Sequence, residues 1–370
     1  MLNTSKILYS LDDVAIMPEN ESSIEHRAEC DPYYNVNGKD FLPLFTAPMY
    51  SVVNEGNFEL FMKNHIIPIL PRNYALGTRM EYIGKGLWAA LSLNEFETCF
   101  IKSPTSVSRY KKHVLIDMAN GHMEKLIDFV HEAKSRHGDN LVIMVGNVAN
   151  PETFYRLSCA GADYIRIGIG VGDSCLTSIY TGIHYPMASL IVDCKKKIQS
   201  EPNPAKIVAD GGMRGYSDII KSLALGADYV MCGSLFNAML ESAAVTKIHE
   251  YKMKSFEYLS VSFNEGQEVN DKDMLYTLLA EGAPLYKEFT GMSTKEAQEI
   301  LGKYELRESE GRTIVNDVKY TMEEWVRKFT AYLVSAMSYT NSRTIADLKS
   351  NTVVNLISQS SINILKNKFE

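Results

Sequence analysis

No two of the six cysteines, Cys30, Cys99, Cys159, Cys175, Cys194 and Cys232, form a CxxC pair or share a regular spacing. That excludes a disulfide framework and a structural zinc site as the basis of the fold. No apolar run approaches the ~18 to 20 residues of a membrane span, and the opening MLNTSKILYSLDD lacks the basic, apolar and small-residue order of a secretory signal. A cytoplasmic protein with no membrane partner is expected. Positive charge is not in excess: 38 Lys and Arg against 45 Asp and Glu leave a net −7, which gives no field to hold nucleic acid or an anionic bilayer. Nor is there an internal repeat of ~20 to 50 residues or a low-complexity tract. What is there is an ordinary globular balance, 45% apolar and 22% charged over 370 residues, with material for a large core. That length suits two or three domains, or one α/β barrel folding as a unit.

Eight short β-branched or apolar runs recur, at 44–49, 66–70, 89–93, 113–118, 141–148, 164–169, 206–209 and 228–232. Between them helical periodicity marks 57–64, 79–87, 123–136, 152–160, 188–198 and 216–225, with a weaker signal at 94–102. Strand and helix in alternation imply a parallel sheet, and eight repeats predict an α/β fold closed as a (β/α)₈ TIM barrel. The rhythm stops after Glu241. The stretch 245–282 is polar and irregular, and 245–312 as a whole is expected to be a lid or flap excursion near the mouth of a single 1–370 barrel domain. Helical spacing returns over 321–339, where Trp325, Phe329, Leu333 and Met337 stand four apart and predict a closing helix with a core-facing stripe.

In a barrel the loops after the strands gather at one mouth. Here those loops read APM (47–49), DMANG (117–121), GNV (146–148), GIGVGDSC (168–175), DGG (210–212) and CGS (232–234). Glycines and small polar residues let backbone N–H groups approach an anion, so DGG and CGS together suggest a phosphate cradle, although barrel turns also need glycine for their own sake. Cys175, in a loop with Gly168, Gly170 and Gly172, is the candidate nucleophile, because N–H dipoles there can favour a thiolate. Cys30, Cys99, Cys159 and Cys194 are expected to be small buried hydrophobes.

The run GIGVGDSCLTSIYTGIHYP resembles the catalytic loop of the IMP dehydrogenase and GMP reductase family, which reads close to GIGPGSxCTTRxxTGxGxP. LYSLDDVAIMPENES, LPLFTAPMYS, DMANG, GNV, ADGGMRGYSDIIKSLALGADYVMCGSL, FTGMST and LRESEGRT follow the family's motifs in order over nearly the whole chain. The resemblance is to the reductase branch. Trp88 follows Leu70 by eighteen residues, which leaves no room for the CBS pair that dehydrogenases usually carry there. The Arg-Tyr pair that their flap uses to activate water is missing, since Arg109-Tyr110 lies far from the flap and 306–313 reads LRESEGRT. Glu241-Ser242 likewise resembles the reductase's ESGG.

The resemblance implies NADPH-dependent conversion of a purine nucleotide monophosphate, GMP, to IMP and ammonia, a step of nucleotide salvage. Cys175 would attack C2 of guanine to form a thioimidate, and Thr177 and Glu241 would shuttle the proton that makes the amine leave. Asp210, Gly211, Gly212, Gly233, Ser234, Gly291, Met292 and Ser293 would hold phosphate and ribose, with Arg307, Ser309, Glu310 and Gly311 closing over the base. NADPH would meet Arg27, Arg72, Asp117, Met118, Ala119, Asn120, Ile169, Gly170, Met292 and Arg307, with Ser335 and Ser338 from the closing helix. A potassium ion would sit on carbonyls of Gly170, Gly172, Cys175 and Ser178, and the assembly would be a homotetramer. Departures from the family pattern are Ser178 for arginine, Leu176 for threonine, Val171 for proline, Arg72 for lysine, and Ala243 and Ala244 for two glycines, while Phe289 keeps an aromatic. Fifty residues separate Glu241 from Gly291, roughly thirty more than a reductase needs. An IMP dehydrogenase without the CBS pair and an inactive nucleotide-binding regulatory barrel are the alternatives. An isomerase or aldolase barrel would need a base at a strand end, and Lys206 only begins its strand.

Overall fold

The structure, a computed structural model, describes residues 6–103, 110–253, 261–302 and 308–366. At its centre lie eight parallel strands: β1 (Leu44–Thr46), β2 (Ile69–Leu70), β3 (Trp88–Leu91), β4 (Lys112–Asp117), β5 (Leu141–Val148), β6 (Tyr164–Ile167), β7 (Lys206–Asp210) and β8 (Tyr229–Cys232). Neighbours follow chain order from β2 to β8, and β8 pairs with β1. A parallel bridge from Phe45 to Ile67 closes the ring, with the Thr46 N–H donating to the Ile67 carbonyl at 3.0 Å. The expected TIM barrel is present. Its strands are nearly continuous apolar runs because crossover helices cover one face and the barrel interior the other.

Those helices are α1 (Glu55–Lys63), α2 (Leu76–Gly84), α3 (Leu93–Phe96), α4 (Glu124–His137), α5 (Pro151–Cys159), α6 (Met187–Lys197) and α7 (Tyr216–Leu225). In α4 the buried Leu126, Val130 and Ala133 fall three or four residues apart, the spacing of one helical face. The weak third crossover is the four-residue α3 continued by a π-helix over Glu97–Lys102. A π-turn has a different period, which blurs the 3.6-residue pattern.

Aromatic side chains seal the end at which the strands begin. Phe45 packs edge-on against Trp88 and Tyr164, and tilted against Tyr229, with centroids 4.9 to 5.8 Å apart. Lys206 stands at this end, its Nζ 5.0 Å from the Tyr164 ring centroid. It is therefore remote from the mouth where an isomerase or aldolase base would act. With one end plugged, the cavity that reaches the barrel axis among the described residues opens at the C-terminal ends of the strands.

The stretch 245–282, expected to be irregular, instead carries regular elements in its described residues, 245–253 and 261–282. It carries β9 (Thr246–Ile248), β10 (Tyr251–Met253), β11 (Val261–Phe263), β12 (Gln267–Glu268) and helix α8 (Lys272–Ala280), and is followed by β13 (Leu285–Thr290) and β14 (Thr313–Asp317). Strands β12, β9, β13 and β14 form an antiparallel sheet over a small apolar cluster of its own, which includes Leu240, Ile248, Phe263, Leu278 and Leu285. Strands of two or three residues show too little alternation to be read from sequence. The β13–β14 ladder pairs Thr290 with Thr313, and so brings the turn at Gly291 beside the flap at 308–312.

The closing helix α9 (Met322–Tyr339) starts at a capping box of Thr321 and Glu324 and buries Trp325, Phe329, Leu333 and Met337 as expected. It packs on α7, where Tyr216 and Trp325 lie 5.3 Å apart. Val354–Leu356 returns to pair antiparallel with Val14–Ile16. Among the described residues no helix is long and apolar enough to cross a membrane.

Candidate active site

The loops after the strands and the flap at 308–312 enclose a cavity of about 270 Å³ at the barrel mouth. The catalytic loop leaves β6 through Gly168, whose φ of +130° suits glycine, and a Cβ there would meet the Asp210 carbonyl at 2.2 Å. At Gly170, with φ +72°, a Cβ would meet the Ser178 side chain at 2.8 Å. These two glycines let the loop fold back over the strand ends and present Cys175 to the cavity.

The half-buried Cys175 donates its S–H to Thr177 Oγ1 at 3.4 Å, and Thr177 in turn donates to Glu310 Oε2 at 2.7 Å. The flap is stitched to the catalytic loop by its backbone. Leu176 N–H donates to the Glu310 carbonyl at 2.7 Å, Arg312 N–H donates to the Ser174 carbonyl at 3.0 Å, and Cys175 faces Gly311 in an antiparallel bridge. The outcome is a thiol, a hydroxyl and a carboxylate in one hydrogen-bonded chain.

The expected pairing of Thr177 with Glu241 is corrected. Glu241 does not line the cavity. Its Oε1 accepts from the Tyr276 hydroxyl and its Oε2 from the Met322 N–H, both at 2.8 Å. Glu241 thus satisfies a first-turn N–H of α9 and ties α8 to it. The ESGG resemblance drew Glu241 into the site, whereas the carboxylate that reaches Thr177 belongs to LRESEGRT.

Burial pushes Cys30, Cys99, Cys194 and Cys232 up from the ordinary thiol range, as fits inert packing groups. Cys159, expected to be buried, is exposed at the end of α5.

A charged network forms the cavity floor. Arg166 on β6 is buried with its guanidinium between two carboxylates, donating to Asp117 Oδ1 at 2.8 Å and to Asp210 Oδ2 at 2.9 Å. Asn147 donates to the same Asp210 oxygen at 2.7 Å, and Arg72 donates to the Asp117 carbonyl at 3.2 Å. Sequence reasoning missed Arg166 and the role of Asn147. The available signal was a lone charge inside the apolar strand YIRI, which a buried strand holds only when the charge is paired.

Most of the expected binding residues meet here. Asp210, Gly211, Gly212, Gly233, Ser234, Gly291, Met292, Ser293, Glu310 and Gly311 line the cavity, as do Arg72, Asp117, Met118, Ala119, Ile169, Gly170 and Gly172. Ser309 stands just behind, its hydroxyl donating to the carbonyls of Gly311 at 2.8 Å and Ser293 at 3.2 Å. Asn120 accepts from the His122 N–H at 3.0 Å beside the cavity. Arg307 and Arg109 fall outside the described residues.

Three expected cofactor contacts do not join them. Arg27, in the exposed turn Arg27–Glu29, packs with α9, which carries Ser335 and Ser338, and none of the three lines the cavity. The reason is that α9 lies in the outer layer against α7, away from the strand ends. The expected cation ligands take part in the loop's own hydrogen bonds. Ser178 donates its hydroxyl to the Gly170 carbonyl at 2.9 Å, and the Cys175 N–H occupies the Gly172 carbonyl at 3.0 Å. Two of the four expected ligand positions are thereby engaged within the loop itself.

Comparison with known proteins places this geometry in context. Residues 105–283 match the family model described as IMP dehydrogenase / GMP reductase domain. A GMP reductase of Staphylococcus saprophyticus is 33% identical over 273 residues, covering 71% of this chain and 81% of the relative. One from Staphylococcus aureus strain MRSA252 is 31% identical over 304 residues, covering 79% of this chain and 88% of the relative. One from Staphylococcus carnosus is 34% identical over 274 residues, covering 71% and 82%.

Proposed function

The chain belongs to the IMP dehydrogenase / GMP reductase family, and from that premise we propose that its cavity carries out the reductive deamination of GMP to IMP. The balance is GMP + NADPH + 2 H⁺ giving IMP + NADP⁺ + NH₄⁺. The observation that carries the reading is the chain from Cys175 through Thr177 to Glu310, closed by a flap that has no Arg-Tyr pair among its described residues.

The direction of these hydrogen bonds suggests one proton path. As Cys175 Sγ adds to C2 of guanine, its proton passes to Thr177 Oγ1 while the Thr177 proton moves to Glu310 Oε2. Glu310, now a carboxylic acid beside the adduct, protonates the C2 amine, and the C–N bond breaks to leave a thioimidate on Cys175. NADPH, when bound, supplies the hydride to C2, and the C–S bond then breaks to release IMP. The thiolate left on Cys175 is stabilised by the same Thr177 hydroxyl.

Arg72, Asp117, Met118, Ala119, Ile169, Gly170 and Met292 would hold the nicotinamide end. The buried Arg72 Nε has no partner among the described residues, which fits a ligand group yet to meet it. Asp210 is held on its Oδ2 by Arg166 and Asn147, which leaves Oδ1 to accept a ribose hydroxyl. Mass spectrometry of protein quenched with GMP in the absence of NADPH tests the reading. A purine adduct on the peptide containing Cys175, together with released ammonia, is expected.

A further inference from the structure

Two residues before the nucleophile, the half-buried Asp173 lines the cavity, and its Oδ2 accepts the Ser234 hydroxyl at 3.1 Å. Ser234 belongs with Gly211, Gly212 and Gly233 to the two loops that together suggest a phosphate cradle. The family's loop pattern has serine where this chain has Asp173.

A carboxylate in that place conflicts with a phosphate monoester. The monoester carries about −1.5 to −2 charges near neutral pH and offers mainly acceptor oxygens, as an ionised carboxylate does. The two would repel, and both would need the single Ser234 hydroxyl. Nearby cations do not resolve the conflict. Arg312 gives its Nε to the Asp173 backbone carbonyl at 3.1 Å. Arg214 is ion-paired with Asp12, lies 4.0 Å from Asp218, and feels the Asp173 charge more weakly than either of these. Among the described residues no Lys or Arg nitrogen forms an ion pair with the Asp173 carboxylate. The floor's own carboxylates, Asp117 and Asp210, share the Arg166 guanidinium. A nucleoside ends instead in a 5′-hydroxyl, which is uncharged and can donate to a carboxylate in a charge-assisted bond.

We propose a further activity for this site: the reductive deamination of a purine nucleoside, guanosine to inosine, with Asp173 selecting the uncharged 5′ end. The proposal rests on the reading of the cavity as a C2-reducing site. The balance is guanosine + NADPH + 2 H⁺ giving inosine + NADP⁺ + NH₄⁺. A C–N bond is broken and a C–H bond formed at C2, the nicotinamide is oxidised, and no bond at the 5′ end changes.

The test compares kcat/KM for guanosine and GMP by NADPH oxidation, and the affinities of inosine and IMP by titration calorimetry, in wild type, D173N and D173S. Calorimetry is run with and without magnesium. Guanosine is expected to match or exceed GMP in wild type, and both variants should shift the IMP-to-inosine affinity ratio toward IMP by about tenfold or more. A wild-type preference for GMP of about tenfold, or an affinity ratio unmoved in both variants, overturns the proposal. Magnesium strengthening IMP binding in wild type but not in D173N also overturns it, by assigning Asp173 to a cation-bridged phosphate. Absence of NADPH oxidation with either substrate while inosine still binds would defeat the C2-reduction reading, and the nucleoside activity with it.

Discussion

Thr177 Oγ1 donates to Glu310 Oε2 at 2.7 Å across 133 residues of sequence. The contact joins the catalytic loop to the flap, so the hydroxyl that touches the nucleophile is linked to a carboxylate only when the flap is seated. Glu310→Gln should slow ammonia release from GMP by ~10² to 10⁴-fold, the usual contribution of a positioned acid or base. Glu241→Ala should act differently. It removes an acceptor from the Met322 N–H and the Tyr276 hydroxyl, and should lower folding stability by about 1 kcal/mol with a much smaller effect on ammonia release. Rapid-quench ammonia measurements beside urea unfolding of the two variants separate the roles. A larger chemical defect in Glu241→Ala would reverse the assignment.

Cys175→Ala should abolish turnover while IMP binds within about tenfold of wild type, because the loops holding the ribose and the 5′ end do not depend on the thiol. Calorimetry with IMP and a turnover assay check both halves. Residual turnover of even a few per cent would remove covalent catalysis through Cys175.

How much of this was legible beforehand depended on the range of the interaction. The eight strands were read from local apolar runs, and α9 from the four-residue spacing of Trp325, Phe329, Leu333 and Met337. Cys175 and the glycine loops were visible because the chemistry sits in one contiguous motif. The partner of Thr177 was not, because a hydrogen bond across 133 residues is set by how the flap docks and not by spacing. The short antiparallel strands escaped for a similar reason: β9 and β12 span three and two residues and exist through their pairing with β13 and with each other.

Arg166 carries the cavity floor, and its removal should be costly. Arg166→Met leaves Asp117 and Asp210 without their shared cation, and breaking a buried pair of this kind typically costs roughly 3 to 5 kcal/mol. Urea unfolding monitored by tryptophan fluorescence measures it. A loss below about 1 kcal/mol would show that the two carboxylates are solvated well enough to stand alone.

Lys287 predicts a pH dependence in the antiparallel sheet around β13. Its Nζ is buried and donates to the Leu240 carbonyl at 2.7 Å and to the Ser242 carbonyl and hydroxyl at 2.9 Å. Burial pushes this ammonium down to about 7, against the pull of the Glu241 carboxylate. An unfolded lysine titrates near ~10.4, so between the two values the unfolded chain binds the extra proton and stability rises with pH; below the lower value the cost is fully present. The stability of wild type relative to Lys287→Met should therefore increase by about 1 kcal/mol per pH unit from pH ~7 to ~9. Urea unfolding of both proteins across that window checks it, and parallel profiles would show that the lysine is not depressed.

The most direct test of the central claim follows the absorbance of reduced nicotinamide in two cuvettes, one with GMP and NADPH and one with IMP and NAD⁺. The Cys175, Thr177 and Glu310 chain under a flap without an Arg-Tyr pair predicts a fall in the first, with ammonia released in equal amount, and little or no rise in the second. A rise with IMP and NAD⁺ faster than the fall with GMP and NADPH would contradict it and make the protein a dehydrogenase.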